Sequence, residues 1–576
     1  MMKTHFPKRC FFIFIIFSCF AGCVPAAERT GNAALSDSHA TANVAIRNTA
    51  AYHYSLSVFF ALNERLDEAI EELEKALALD SKSLFLATEL AALYGEKGNI
   101  PKAVSLCEAA LAENDGDGDT HFLLANLYMS SKNYRKALKE YRRVNELEPQ
   151  RIDALLFMGI LHGEDRAYEK ALAAFRKLLG IDPDHLMGNY YLAKTLNEMQ
   201  QSAEAETAYK KTLLLKPLFE PALLDLVRLY EKQDKLDLAV AAYRAFIKIN
   251  PHSVNIRLKL AALLLKIKLP LEAEQELQAT LDWEKGNREV GYSVGLFYLE
   301  NNLYDRAMLL LQDLLKAYPG DYRLQYLLGS AYEGAKDYPR AIVQLQEIPP
   351  TASLYPSAQL SIGTLLKNTG QVDKAIAGLV TAIENSKDTS ELYSLLAYLY
   401  EENKELLKAE ETLQKGIKAI PNVMLRFSLG VLYEKMDHFA ESIREMRMVL
   451  QMDSNNADAM NFIGYIYADK GINLAEAETL IKKALTIKPG NAYILDSLGW
   501  VYFRQNKLEE AIKFLKEAVA QLPQDSTIAE HLGDAYAKAG QISAAREIYE
   551  GLMKIKPDNK VVTQKLERLT TKNHDQ

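Results

Sequence analysis

From Ala50 onward, apolar residues recur at three- and four-residue steps in stretches of about a dozen, separated by short polar breaks. That period lines apolar side chains along one face of a helix, so the pattern predicts a long succession of amphipathic helices. The succession repeats itself. A small residue recurs as Ser57, Ala91, Ala125, Gly159 and onward to Gly533, nearly always at 34-residue steps; the exceptions are 33 from Ala397 to Gly430 and 35 from Gly464 to Gly499. Three positions after it stands an aromatic residue or Leu, as at Tyr94, Tyr128, Tyr230, Tyr433 and Tyr502. Some twelve positions after it comes an Ala, from Ala69 to Ala545, replaced once by Ser442. Pro closes many units, as at Pro149, Pro183, Pro421 and Pro523.

Each unit therefore predicts two helices, A and B. Breaks such as Glu96-Lys97-Gly98-Asn99 supply residues that tolerate left-handed backbone. The small residue on A and the Ala on B allow two backbones to approach, and the aromatic fills the space beside them. Pro ends B because it cannot continue a helix. One such pair leaves an apolar flank open, and stacking the next pair buries it. About fifteen units run over residues 50–558, with a cap helix and tail at 559–576. The 34-residue signature resembles the tetratricopeptide repeat family. The resemblance implies an all-α, right-handed solenoid with the A helices on its concave side. Residues 461–523, which include a one-residue insertion near Gly471, resemble a stretch common in bacterial proteins of this type.

The first residues follow another rule. Met1 to Arg9 is basic, and Cys10 to Phe20 is an unbroken run of apolar or small residues. Eleven residues are too few for a membrane-spanning helix, which needs about 20. Residues 1–22 read as a signal peptide. Phe20-Ala21-Gly22-Cys23 is similar to a bacterial lipobox, which implies lipidation of Cys23; Val24 after it implies the outer membrane, facing the periplasm. The alternative is a plain secretory signal and a soluble periplasmic or secreted protein. Residues 23–49, rich in Ala, Thr, Asn and Ser, read as the lipidated Cys and a flexible tether. No later stretch holds 18 consecutive apolar residues.

Charge and motifs narrow the function. The net charge is −8, and Lys3, Lys8 and Arg9 contribute +3, leaving −11 after the leader. An acidic chain without a basic run is a poor polyanion binder, so nucleic acid is not expected. No P-loop, HExxH or GxSxG motif occurs. Asp115, Asp117 and Asp119 alternate as in a calcium loop, but position twelve is Asn126 rather than Glu, and they fall where an inter-repeat turn is needed. Cys107, on an apolar helix face, reads as a small core residue. No enzyme activity, metal or cofactor is expected.

In the tetratricopeptide repeat family, positions 2, 5, 9 and 12 of helix A face the groove. Read onto this chain, they give Tyr54, Phe122, Tyr190, Tyr292 and Tyr326, then a denser set: Tyr398, Phe427, Asn461, Tyr465, Tyr493, Asp496, Trp500 and Phe503. Two readings stand: a groove for proteins or peptides, or packing between neighbouring helices. The carboxylate clamp of some family members is not expected, since only Asn126 and Asn461 match it. The resemblance implies a protein-interaction scaffold in the bacterial envelope, assisting an export or biogenesis complex. The second class is an accessory subunit that presents polysaccharide or peptidoglycan to separate enzymes.

Overall fold

The computed structural model describes residues 49–571 apart from 284, 387 and 388. The signal peptide, Cys23 and the tether up to residue 48 lie outside the described residues, as do 572–576. Every regular element among the described residues is helical. The helices fall in two compact units, one ending at Pro251 and the other beginning at His252.

The first unit holds six helix pairs, from Ala50–Leu62 with Leu66–Leu79 to Glu220–Lys232 with Leu236–Ile249. The second holds nine pairs, from Val254–Lys266 with Pro270–Trp283 to Ser526–Lys538 with Ile542–Ile555, followed by Lys560–Thr571. The fifteen pairs are the fifteen predicted repeats, and the fold is an all-α solenoid of helical hairpins. Within each unit a B helix packs on its own A helix and on the A helix after it. Successive A helices also touch, as Ala457–Lys470 does Ala492–Arg504. The A helices thus form a continuous layer within a unit.

The small positions sit at the joints. Ala69, Ala103, Ala137 and Ala171 are fully buried, and a Cβ added to Gly464 would lie 2.4 Å from Ile481 Cγ1. Asn or Asp begins many A helices: Asp117, Asp321, Asn456, Asn491 and Asp525 each accept a first-turn N–H. The A-to-B turn places one residue in the left-handed region in every repeat, but only Gly98, Gly370, Gly471 and Gly540 are glycine; the rest include Lys132, Arg166, Lys268 and Asn506. In repeat 13 the inserted residue is absorbed by a second left-handed position, Asn473 with φ 46°. The B helix of repeat 9, Tyr338–Gln346, is 9 residues long, where its neighbours have 14. Pro349 and Pro350 follow it and prevent its extension. The final helix buries Val562 and Leu569 against Tyr549 and Leu552, closing the flank of the last hairpin.

The aromatic after the small residue does more than fill space. Its hydroxyl reaches back to a Glu on the preceding B helix: Tyr94 to Glu74, Tyr128 to Glu108, Tyr230 to Glu206, Tyr433 to Glu410 and Tyr502 to Glu478. A Lys often stands beside the pair, as Lys102 does by Glu74 and Lys507 by Glu478. The repeat signature marks the ring, while the hydroxyl contact appears only when two repeats are superposed.

Candidate functional site

With the small residue taken as position 8, the residues expected on the A-helix face stand at positions 2, 5, 9 and 12 of each repeat. The five aromatics predicted in the earlier repeats all meet a neighbouring repeat. Tyr54 meets Phe85 edge-on at 5.2 Å, and Phe122 packs on Phe157 beneath the Arg151 guanidinium. The Tyr190 hydroxyl donates to Asp225 at 3.0 Å, Tyr292 lies under Arg323, and Tyr326 pairs with Ser361 at 3.4 Å. Phe122, Tyr190 and Tyr326 follow one rule, in which position 5 of one repeat meets position 6 of the next, whereas Tyr54 and Tyr292 reach position 2 of the next repeat. Phe427 with Phe462, Asp496 with His531 and Glu530 with Lys565 obey the rule too.

The denser C-terminal set divides accordingly. Phe427 is half-buried against Phe462, with ring centroids 6.0 Å apart. Asp496 is buried, with His531 Nδ1 at 2.9 Å from its carboxylate. Trp500 stacks on Phe503 at 4.6 Å and on His531 at 4.2 Å. Lys538 caps the Phe503 ring at 4.5 Å and donates to the Phe503 carbonyl at 3.2 Å. These contacts hold repeat 12 against repeat 13 and repeat 14 against repeat 15. Tyr398 is 41% exposed; the Lys367 ammonium sits over its ring at 4.2 Å and donates to its hydroxyl, which in turn donates to Glu402.

What remains on this face is smaller. Tyr493 is 58% exposed. The Tyr465 hydroxyl has no hydrogen-bond partner among the described residues. Burial, then the charges of Asp469, Asp496 and Glu434, push its pKa upward. Asn461 Oδ1 and Trp500 Nε1 are shielded from solvent and unpartnered among the described residues. A shielded polar atom without a partner is costly, and a ligand group would satisfy it.

Other sequence candidates have structural places. Asp117 caps Gly118–Ser130, Asp115 pairs with Arg143 at 2.6 Å, and Asp119 pairs with Arg151 at 2.9 Å. Asn126 accepts a hydrogen bond from Tyr141. Cys107 is fully buried, and burial pushes its thiol up to about 12. A depression of about 610 Å³ opens at the turns around Arg288, Asp321 and Arg323. Its arginines are matched by Glu289 and Asp321 at 2.7–3.4 Å, so no uncompensated charge faces it. Among the described residues no helix is long and apolar enough to cross a membrane.

The fold and its A-helix face define a class: a stack of helical hairpins that presents one layer of side chains for docking. Tetratricopeptide repeat models match residues 96–158, 298–366, 473–530 and 502–569; others of the same description match 224–286 and 427–492, and 50–83 and 390–423. The chain belongs to the tetratricopeptide repeat family, and its architecture is that of a protein-interaction scaffold. It is 34% identical over 191 residues to the TPR repeat-containing protein PA4667 of Pseudomonas aeruginosa, an alignment covering 33% of this chain and 32% of that protein. It is 21% identical over 272 residues to the Protein O-mannosyl-transferase TMTC3 of Homo sapiens, covering 46% of this chain and 29% of that protein. The chain thus spans about a third of the length of the curated relatives it matches. A solved structure of Naa15/Naa10 bound to HypK-THB is similar at 13% identity and a TM-score of 0.37, with 91% of this chain and 96% of that chain covered.

Proposed function

We propose that this protein is a scaffold of the bacterial cell envelope, held by a lipid on Cys23 at the outer membrane facing the periplasm, and that it assists assembly of an export or envelope-biogenesis complex. The partner, a protein or peptide, docks on the A-helix face of repeats 11 to 14. The observation that supports this reading is that Asn461 Oδ1 and Trp500 Nε1, on adjacent A helices, are shielded from solvent and without a hydrogen-bond partner among the described residues. The leader-like residues 1–22, followed by Cys23, support the location. A glycan-presenting role has less support, because the Trp500 indole is already stacked on Phe503 and His531 rather than bare for a sugar.

Photo-crosslinking in intact cells tests the docking face. A photoreactive residue at Tyr493 should trap a defined partner, and one at the B-helix position Lys483 should not. Equal trapping at both would reject the A-face reading. Palmitate labelling that survives Cys23→Ser would reject the anchor.

A further inference from the structure

Two repeats before Tyr465, the chain displays the same arrangement completed. Lys367 at position 12 of repeat 10 lies over the ring of Tyr398, position 9 of repeat 11, at 4.2 Å. Its ammonium donates 2.9 Å to the Tyr398 hydroxyl and stands 3.5 Å from Glu402, position 13 of repeat 11. A tyrosine ring with an acid one helical turn away is here filled by a cation from the previous repeat.

Residues 434, 465 and 469 follow 367, 398 and 402 by 67 positions each. They are Glu434, Tyr465 and Asp469: the ring and the acid recur, but an acid stands where the cation stood. Glu434 makes no ion pair or side-chain hydrogen bond among the described residues, and its charge acts on Tyr465. Asp496 also faces Tyr465, though His531 is bonded to it. The neighbouring bases match only part of the cluster. Lys470 pairs with Asp469 at 3.3 Å, but its ammonium lies over the Phe439 ring, and Glu434 is left as the acid without an ion pair among the described residues. Arg504 lies against the turn at Gly471.

We infer that the Glu434–Tyr465–Asp469 cluster receives a cationic side chain, lysine or arginine, from the partner protein, which seats itself as Lys367 does on Tyr398. This rests on the partner-face reading above and adds the chemistry of the partner's anchor. The charge of the cluster is complementary to that anchor, and Asn461 Oδ1, one helical turn from Tyr465, is an acceptor suited to a further N–H of it. Trp500 Nε1, on the next A helix, is a donor and matches a main-chain carbonyl of the same segment.

A random peptide library displayed on phage and selected on the purified full chain tests this. The selected peptides should share a Lys or Arg at one position, and replacing it with Gln should weaken binding at least tenfold. Glu434→Lys builds in the internal cation and should lower their binding at least tenfold, with the circular dichroism spectrum unchanged. Glu434→Gln, a smaller perturbation, should lower it about threefold. Peptides that share no basic residue, yet lose binding on Trp500→Ala or Tyr465→Ala, would overturn the cation site and leave the partner face standing. Peptides indifferent to all four substitutions, or a selection that yields none, would overturn both.

Discussion

Ser442 Oγ donates a 2.7 Å hydrogen bond to the carbonyl of Gly430, across the joint between the two helices of repeat 12. Repeat 1 contains the mirror image: Ser57, at the small position of helix A, donates 2.7 Å to the carbonyl of Ala69 on helix B. All four residues are inside the joint, where a hydroxyl is tolerated only because the facing backbone accepts from it. The two serines, in a series of Ala and Gly broken otherwise only by Val227, are therefore extensions of one packing rule: two backbones must pass close together.

That rule predicts the cost of adding bulk. Ala375 is 1% exposed at the joint of repeat 10, whose small partner is Gly363. Ala375→Leu should overpack it and cost about 1–3 kcal/mol. Thermal or urea unfolding followed by circular dichroism reads this, and an unchanged transition would remove Ala375 from the joint.

The turns make a cleaner case of backbone strain. Gly98 has φ +84°, and a Cβ built on it meets nothing within 4 Å. Gly98→Ala should therefore cost about 1 kcal/mol through backbone conformation alone. Gly464→Ala should cost more, since its Cβ falls 2.4 Å from Ile481. Comparable losses for the two would contradict the assignment of one to the turn and the other to the joint.

Acid should loosen the latch between repeats 13 and 14. Lys482 and Gln505 hold the carboxyl of Glu478 down to about 2, against an ordinary value of 4.5. Because the folded value lies below the unfolded one, this stabilisation is complete above about pH 5 and is lost as pH falls towards 2. The group is partly exposed, so its contribution is on the order of 1–2 kcal/mol. Glu478→Gln should flatten the dependence of stability on pH over that window while leaving a smaller stability at neutral pH. A parallel acid limb in the variant would show that other carboxyls govern it.

Cys107 should be chemically silent. Its side chain is fully buried and its thiol is pushed up to about 12, so thiolate is scarce at neutral pH. Peptide-level mass spectrometry after iodoacetamide treatment should show no label at Cys107 in the native protein and full label in urea. Rapid native labelling would mean that repeats 2 and 3 open readily.

By itself the sequence determined the hairpins, their number and their joints. All of these depend on spacing within 34 residues, and apolar period, small residues and proline act over that range. Tertiary structure alone decided which face residues are already engaged. Phe427, Asp496, Trp500 and Phe503 meet partners on their own helix or the next one, Tyr398 is capped by Lys367, and the Tyr465 hydroxyl has no hydrogen-bond partner among the described residues. The physical reason is that a repeat's period fixes the direction of a side chain, whereas its partner is set by the residue that the adjacent repeat brings alongside, about 31 to 35 positions away.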